Sequence, residues 1–162
     1  MVPHFSFDHQ FEAMIPTRDQ WEDADAPMVP EGAITVYTDG SSEPRGTGAG
    51  ILFNGLLTDL SIPLGTYASV FQAEMYAITK CATVLQTLDL TNTCVYICSD
   101  SQAAIRAIRK PRTTSKLVRG CIIALDALAA LHLVCVTWIP GHTGKQGNEQ
   151  ISLHDKQVGQ PL

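Results

Sequence analysis

Apolar and polar positions alternate from Ala33 to Thr38 (Ala33-Ile34-Thr35-Val36-Tyr37-Thr38), a β-branched and aromatic run that predicts a strand, and Asp39-Gly40-Ser41-Ser42 predicts the turn that stops it. Two more strands are expected, from Gly46 to Phe53 and from Leu56 to Leu64, joined at Asn54-Gly55, the dipeptide best suited to a tight hairpin. The three strands form an antiparallel meander. At Ser69 the period changes: Phe71, Met75, Ile78, Ala82 and Leu85 recur at helical spacing, and Ser69 with Gln72 predicts a capping box at the start of a helix reaching about Leu88. Cys94-Val95-Tyr96-Ile97-Cys98 is a short continuous apolar run of the kind found in buried parallel strands, and it stops at Ser99-Asp100-Ser101. A short helix over 103–108, a longer one carrying Leu117, Cys121, Ala124, Leu125, Leu128 and Leu131, and a last strand from Leu133 to Trp138 complete the series, with a weak helix after Gly147.

Residues 1–31 do not share this regularity. Four prolines and seven acids against Arg18 alone mark an acidic leader or linker, expected to pack only in pieces and to join the body (32–162) to something upstream. The 162 residues suffice for one core of ordinary size. Mean hydropathy is only +0.07, and no apolar run approaches the roughly 18 to 20 residues of a membrane span. With no basic n-region and no apolar h-region at the start, an intracellular setting is expected. Five cysteines, with no Cys-x-x-Cys pair and mostly apolar neighbours, read as reduced core thiols.

The net charge of −5 disfavours a nucleic-acid partner until it is divided by position. The leader carries −6, the body +1, and Arg106, Arg109, Lys110, Arg112, Lys116 and Arg119 put six of the eleven basic side chains into one short stretch. Such a patch suits a phosphate backbone, although solvated helix ends would look the same.

Three acids stand where chemistry is expected. Asp39 and Asp100 each follow a predicted strand, the end of an open sheet at which ligands bind. Glu74 shares a helical stripe with Ile78, Cys81, Leu85 and Leu88, and no Lys or Arg is spaced to pair with it locally. Alone, either aspartate reads as a turn or cap residue. Together, three carboxylates converging at one place would need a cation, and an all-oxygen donor set suits Mg²⁺ or Mn²⁺.

Thr38-Asp39-Gly40-Ser41, Gln72-Ala73-Glu74, Ser99-Asp100-Ser101-Gln102, Gly141-His142-Thr143-Gly144 and Gly147-Asn148-Glu149 resemble, in order and spacing, the motif series of type 1 ribonuclease H, most closely the domain that follows reverse transcriptase in non-LTR retrotransposon polyproteins. The likeness covers residues 32 to about 157. It implies a ribonuclease H-like α/β fold: a mixed five-stranded sheet, three antiparallel strands then parallel ones, flanked by helices. It further implies hydrolysis of the RNA strand of RNA/DNA hybrids with two divalent ions, Mg²⁺ or Mn²⁺ as substitute, and an upstream reverse transcriptase as partner. By the same likeness Asp39 would bridge the ions, Glu74 and Asp100 would complete the ligands, and His142 would assist proton transfer or product departure. Gln102 would reach the minor groove, Ser69 would meet a DNA phosphate, and Ser41, Arg109 and Arg112 would add substrate contacts.

One motif departs from the family. A fourth acid is expected ten residues after the loop histidine, within Gly-Asn-Glu-x-Ala-Asp-x-Leu-Ala, and this chain has Ser152 there. Asp155, one helical turn further on, is the candidate substitute ligand. A domain that binds hybrids with weak or no turnover is therefore the alternative reading. Asp39-Gly40-Ser41 and the Gly-rich hairpin also resemble the phosphate loop of actin-like ATPases and sugar kinases, whose two lobes this chain is too short to form.

Overall fold

Ten consecutive residues, Ile34–Glu43, form strand β3, which runs straight through the segment expected to turn. The computed structural model describes residues 5–6, 8–23, 29–91 and 93–141. Within β3 the polar run Asp39-Gly40-Ser41-Ser42 stays extended because β4 (Gly46–Leu52) pairs with it residue for residue, Asp39 opposite Gly50 and Glu43 opposite Gly46. Ladder hydrogen bonds to a full-length partner outweigh a local turn preference. The chain reverses at Pro44-Arg45 instead.

The main sheet has six strands, not the five expected. Its order is β2-β8-β6-β3-β4-β5, with β2 (Glu12–Met14), β5 (Leu60–Pro63), β6 (Cys94–Ser99) and β8 (Leu133–Trp138). β3, β6 and β8 run parallel, and β2 joins parallel to β8 with Glu12 opposite Cys135. β4 and β5 add antiparallel to β3, as the meander requires. The Asn54-Gly55 turn forms, both residues at positive φ (54° and 90°) with the Leu56 N–H donating to the Phe53 carbonyl at 3.1 Å. It does not open directly into β5, because the Asp59 carboxylate takes the Phe53 N–H (2.9 Å) and holds a wider loop.

The sixth strand comes from the segment expected to be a linker. Residues 8–22 are stitched to the body by Phe11, which is 5% exposed in the core, by the Gln10 N–H on the Asp126 carboxylate (2.8 Å), and by the Trp21 indole on the Trp138 carbonyl. A short helix α1 (Arg18–Glu22) opens on a capping box between Thr17 and Gln20. The backbone of β1 (Phe5–Ser6) pairs antiparallel with β7 (Arg112–Thr113).

α2 (Val70–Gln86) lies over β3 and β4 and packs along α4 (Lys116–Ala129), while α3 (Gln102–Arg109) sits against β2, β8 and both longer helices. Met75, Ile78, Cys81 and Leu85 of α2 join Val36, Val95, Ile97 and Val136 of the strands in one core. All five cysteines are free thiols, four of them buried. The expected helix after Gly147 lies outside the described residues.

Candidate active site

The sheet itself opens the site. β6 stays beside β3 only as far as the Thr38–Ser99 pair, and beyond it β6 ends while β3 continues against β4. Asp39 is therefore a residue within a strand, not the end of one, yet it occupies the point where the parallel half of the sheet stops. Asp100 follows directly on β6. The two aspartates thus directly follow the last pair of the β3–β6 parallel ladder, Thr38–Ser99, the edge at which an open sheet binds ligands.

Glu74 arrives from above, in the second turn of α2, and Gly40 lets it in. A β-carbon on Gly40 would stand 2.7 Å from both Glu74 Cγ and the Glu74 backbone N, and 2.9 Å from Ala73 Cβ. Only a residue without a side chain allows α2 to sit so close to β3. One carboxylate oxygen each from Asp39, Glu74 and Asp100 then lies within 4.8 Å of the other two. Asp39 is 6% exposed and the other two are half-buried.

Electrostatically, this arrangement is incomplete as a protein site. Two full charges at such a separation repel by roughly 3 to 4 kcal/mol at an effective dielectric of 20. The Glu74 carboxyl is raised from 4.5 to about 7, chiefly by burial, with a hydrogen bond from Ser101 lowering it and the nearby Asp100 charge raising it. An oxygen-only donor set of three converging acids, with the ionisation of Glu74 resisted by burial, is the environment that a hard divalent cation stabilises, and the residues fit Mg²⁺ or Mn²⁺.

The supporting groups are as informative as the acids. Ser101, 8% exposed, accepts the Ala104 N–H at 3.1 Å as the N-cap of α3 while its hydroxyl serves Glu74. The Trp138 indole N–H donates to the Asp100 carbonyl at 3.2 Å. The Ile139 N–H continues the pairing onto the Ser99 carbonyl (2.9 Å), which brings Gly141 so close that a β-carbon there would stand 3.2 Å from Asp100 Oδ2. Sequence reasoning missed Ser101, Trp138 and the packing role of Gly40. A serine directly after an acid and before a helix carries a cap signal that could have revealed the first; nothing in the sequence marks Trp138.

Ser69 is the exposed N-cap of α2, with its Oγ accepting the Gln72 N–H (3.1 Å) and the Gln72 side chain accepting the Ser69 N–H (2.8 Å), the capping box anticipated there. Ser41 is half-buried on β3 opposite Gly48. Gln102 opens α3 and accepts from Arg106 at 3.1 Å. Arg109 and Arg112 are exposed, Arg109 in the last turn of α3 and Arg112 on β7; a cavity of about 340 Å³ lined by Ala107, Lys110, Arg112, Thr113 and Thr114 adjoins them. The six-residue basic cluster is exposed throughout and begins along α3, the helix that starts beside Asp100. His142, Ser152 and Asp155 lie outside the described residues. Among the described residues no helix is long and apolar enough to cross a membrane.

Comparison with known proteins agrees with this geometry at one level. The family model described as RNase H matches residues 31–158. No curated protein matches the chain.

Proposed function

The chain belongs to the RNase H family, and from that premise we propose that it hydrolyses the RNA strand of RNA/DNA hybrids, with Asp39, Glu74 and Asp100 holding two divalent ions, Mg²⁺ or Mn²⁺. The observation that carries the reading is the convergence of three carboxylate oxygens within 4.8 Å at the end of the parallel strands. Divalent ions at such a site supply charge stabilisation at the phosphate and a more acidic attacking water.

The chain's own residues do the positioning. Gly40 admits α2, Ser101 orients Glu74, and the Trp138 indole anchors the backbone of Asp100. Glu74 surrenders its proton when it becomes a ligand, because burial and Asp100 favour the neutral acid without a cation. Gln102, the first residue of α3, meets the minor groove in this reading, where 2′-hydroxyls mark the RNA strand. Ser41 and Ser69 contact the backbone near the carboxylates, and Arg109 and Arg112 meet phosphates further along the duplex. His142 assists proton transfer or product departure on the strength of its motif. The leader connects this domain to a reverse transcriptase in a retrotransposon polyprotein acting inside the cell, a context supported by the likeness of the motif series.

Ser152 favours a second reading, a hybrid-binding domain with weak or no turnover. Titrating Mg²⁺ and Mn²⁺ against a labelled RNA/DNA hybrid, with single-stranded RNA and duplex RNA as controls, decides between the two. Metal-dependent cuts confined to the RNA strand of the hybrid support the enzyme; binding without cutting at any metal concentration supports the alternative.

A further inference from the structure

Among the described residues, Tyr67 is 100% exposed, while the other large apolar residues exposed at the surface range from 36% to 76%. A single exposed aromatic is unremarkable on a floppy loop, where it can fold back on its neighbours. This loop is not free to do so. Thr47 on β4, itself 4% exposed, clamps it three times: its N–H donates to the Gly65 carbonyl (2.8 Å), its carbonyl accepts the Leu64 N–H (2.8 Å), and its hydroxyl donates to the Ala68 carbonyl (2.6 Å). Gly65 holds φ at +81°, and a β-carbon on Gly46 would meet the Gly65 carbonyl oxygen at 3.4 Å, so the Pro44-Arg45 turn and the 65–68 loop form one corner. A ring is thus presented to solvent at fixed backbone geometry, beside a turn whose Arg45 is also exposed.

This corner lies near the carboxylates. Tyr67 precedes the first residue of α2 by three positions, and Glu74 is four residues into that helix. At about 3.4 Å per extended residue and 1.5 Å per helical residue, the two α-carbons are no more than roughly 16 Å apart. At 3.4 Å per nucleotide along a strand, that distance is about five nucleotides, so a duplex that is cut at the carboxylates and runs toward the corner would reach it within its own length.

We propose that Tyr67 is a packing platform for a sugar of the bound hybrid, and that Arg45 on the adjoining turn meets a phosphate of the same strand. The inference rests on hybrid binding and adds a subsite that the carboxylate cluster does not require. An exposed ring and an exposed cation on two turns that meet at one corner match the alternation of sugar and phosphate along a backbone. They also make separable contributions, because releasing counterions depends on salt and packing a ring on a sugar does not.

The test measures hybrid affinity of the full chain in EDTA, so that no strand is cut, at several salt concentrations. Tyr67→Ala is expected to weaken binding about fivefold to tenfold at every salt concentration with an unchanged salt slope. Tyr67→Phe and Tyr67→Trp should stay within about twofold of the wild type. Arg45→Ala should reduce the salt slope by about one. Melting temperatures should not move, since Tyr67 and Arg45 are exposed. Unchanged affinity in Tyr67→Ala overturns the platform, and so does a Tyr67→Phe as weak as Tyr67→Ala, which would assign the effect to the hydroxyl. An unchanged slope in Arg45→Ala overturns the phosphate contact. A wild type that binds no hybrid at all overturns both this inference and the reading beneath it, which separates that outcome from the loss of Tyr67 alone.

Discussion

Gly40 and Glu74 share one space: the Glu74 Cγ stands 2.7 Å from where a Gly40 β-carbon would be. The backbone N of Glu74 is equally close, so no side-chain rotation relieves the clash. Gly40→Ala should therefore lift α2 from β3, costing about 1 to 3 kcal/mol as overpacking does. It should also spread the carboxylates and weaken Mg²⁺ binding by more than tenfold. Urea unfolding and calorimetric metal titration check the two effects, and a variant normal in both would show that α2 is not seated by this glycine.

Asp39→Asn removes a charge that repels Asp100 and, once it ionises, Glu74, while keeping the shape of the side chain. The metal-free variant should melt at the same temperature as the wild type or higher, and hydrolysis should be abolished in either metal. A lower melting temperature in EDTA would contradict the electrostatic account of the site.

The pH dependence has a definite sign. Burial and Asp100 hold the native Glu74 carboxyl at about 7, above its usual 4.5. For a group raised on folding, the native state binds the proton more tightly, so its stabilising share is complete below pH 4.5 and is lost as pH rises through about 7. Metal-free protein should lose stability across that window, and Glu74→Gln should flatten the loss. Mg²⁺ needs the carboxylate, so its affinity should rise across the same window and the stability trend should reverse at saturating metal. Thermal melts from pH 4.5 to 8, with EDTA and with Mg²⁺, would show the crossing.

The meander, the parallel strands β6 and β8 and the helices α2, α3 and α4 were legible from their apolar runs and periods, and β8 is found where its run predicts it, at Leu133–Trp138. The carboxylates were legible because an acid after a strand and an acid on an apolar stripe each violate the bland pattern around them. What escaped was set by tertiary pairing. Asp39-Gly40-Ser41-Ser42 has turn chemistry, and only the opposing β4 backbone keeps it extended. β2 is three residues long, too short for any period, and gains its place from Phe11 and the β8 edge. Ser101 and Trp138 are ordinary residues until the fold sets them beside Glu74 and Asp100.

That leader strand yields a stability prediction. Phe11→Ala should cost about 3 to 5 kcal/mol, as a large core truncation does. A chain beginning at residue 32 forfeits the β2 edge, Phe11 and the Trp21 contact together, and its melting temperature should fall by roughly 10 °C or more. If the shortened chain melts with the full one, residues 8–22 are an appendage and the linker reading of 1–31 is the better description.

The last prediction concerns Ser152, which stands where the family motif has an acid and where this chain offers only a short neutral hydroxyl. Three carboxylates whose oxygens lie within 4.8 Å of one another offer a donor set for a first ion. The missing acid would have served chiefly the second ion, so first-metal affinity should be ordinary and second-metal occupancy weak. Cleavage should accordingly be slow in Mg²⁺, which demands near-ideal octahedral geometry, and faster in Mn²⁺. Ser152→Asp should raise turnover in Mg²⁺ tenfold or more, since a charged group aimed at a developing transition-state charge is worth a few kcal/mol. Asp155 provides the internal control: if it already serves the second ion, Asp155→Asn and not Ser152→Asp should change the rate. Turnover that responds to neither substitution, in a wild type that cleaves readily in Mg²⁺, would show that the second ion is held without a fourth acid.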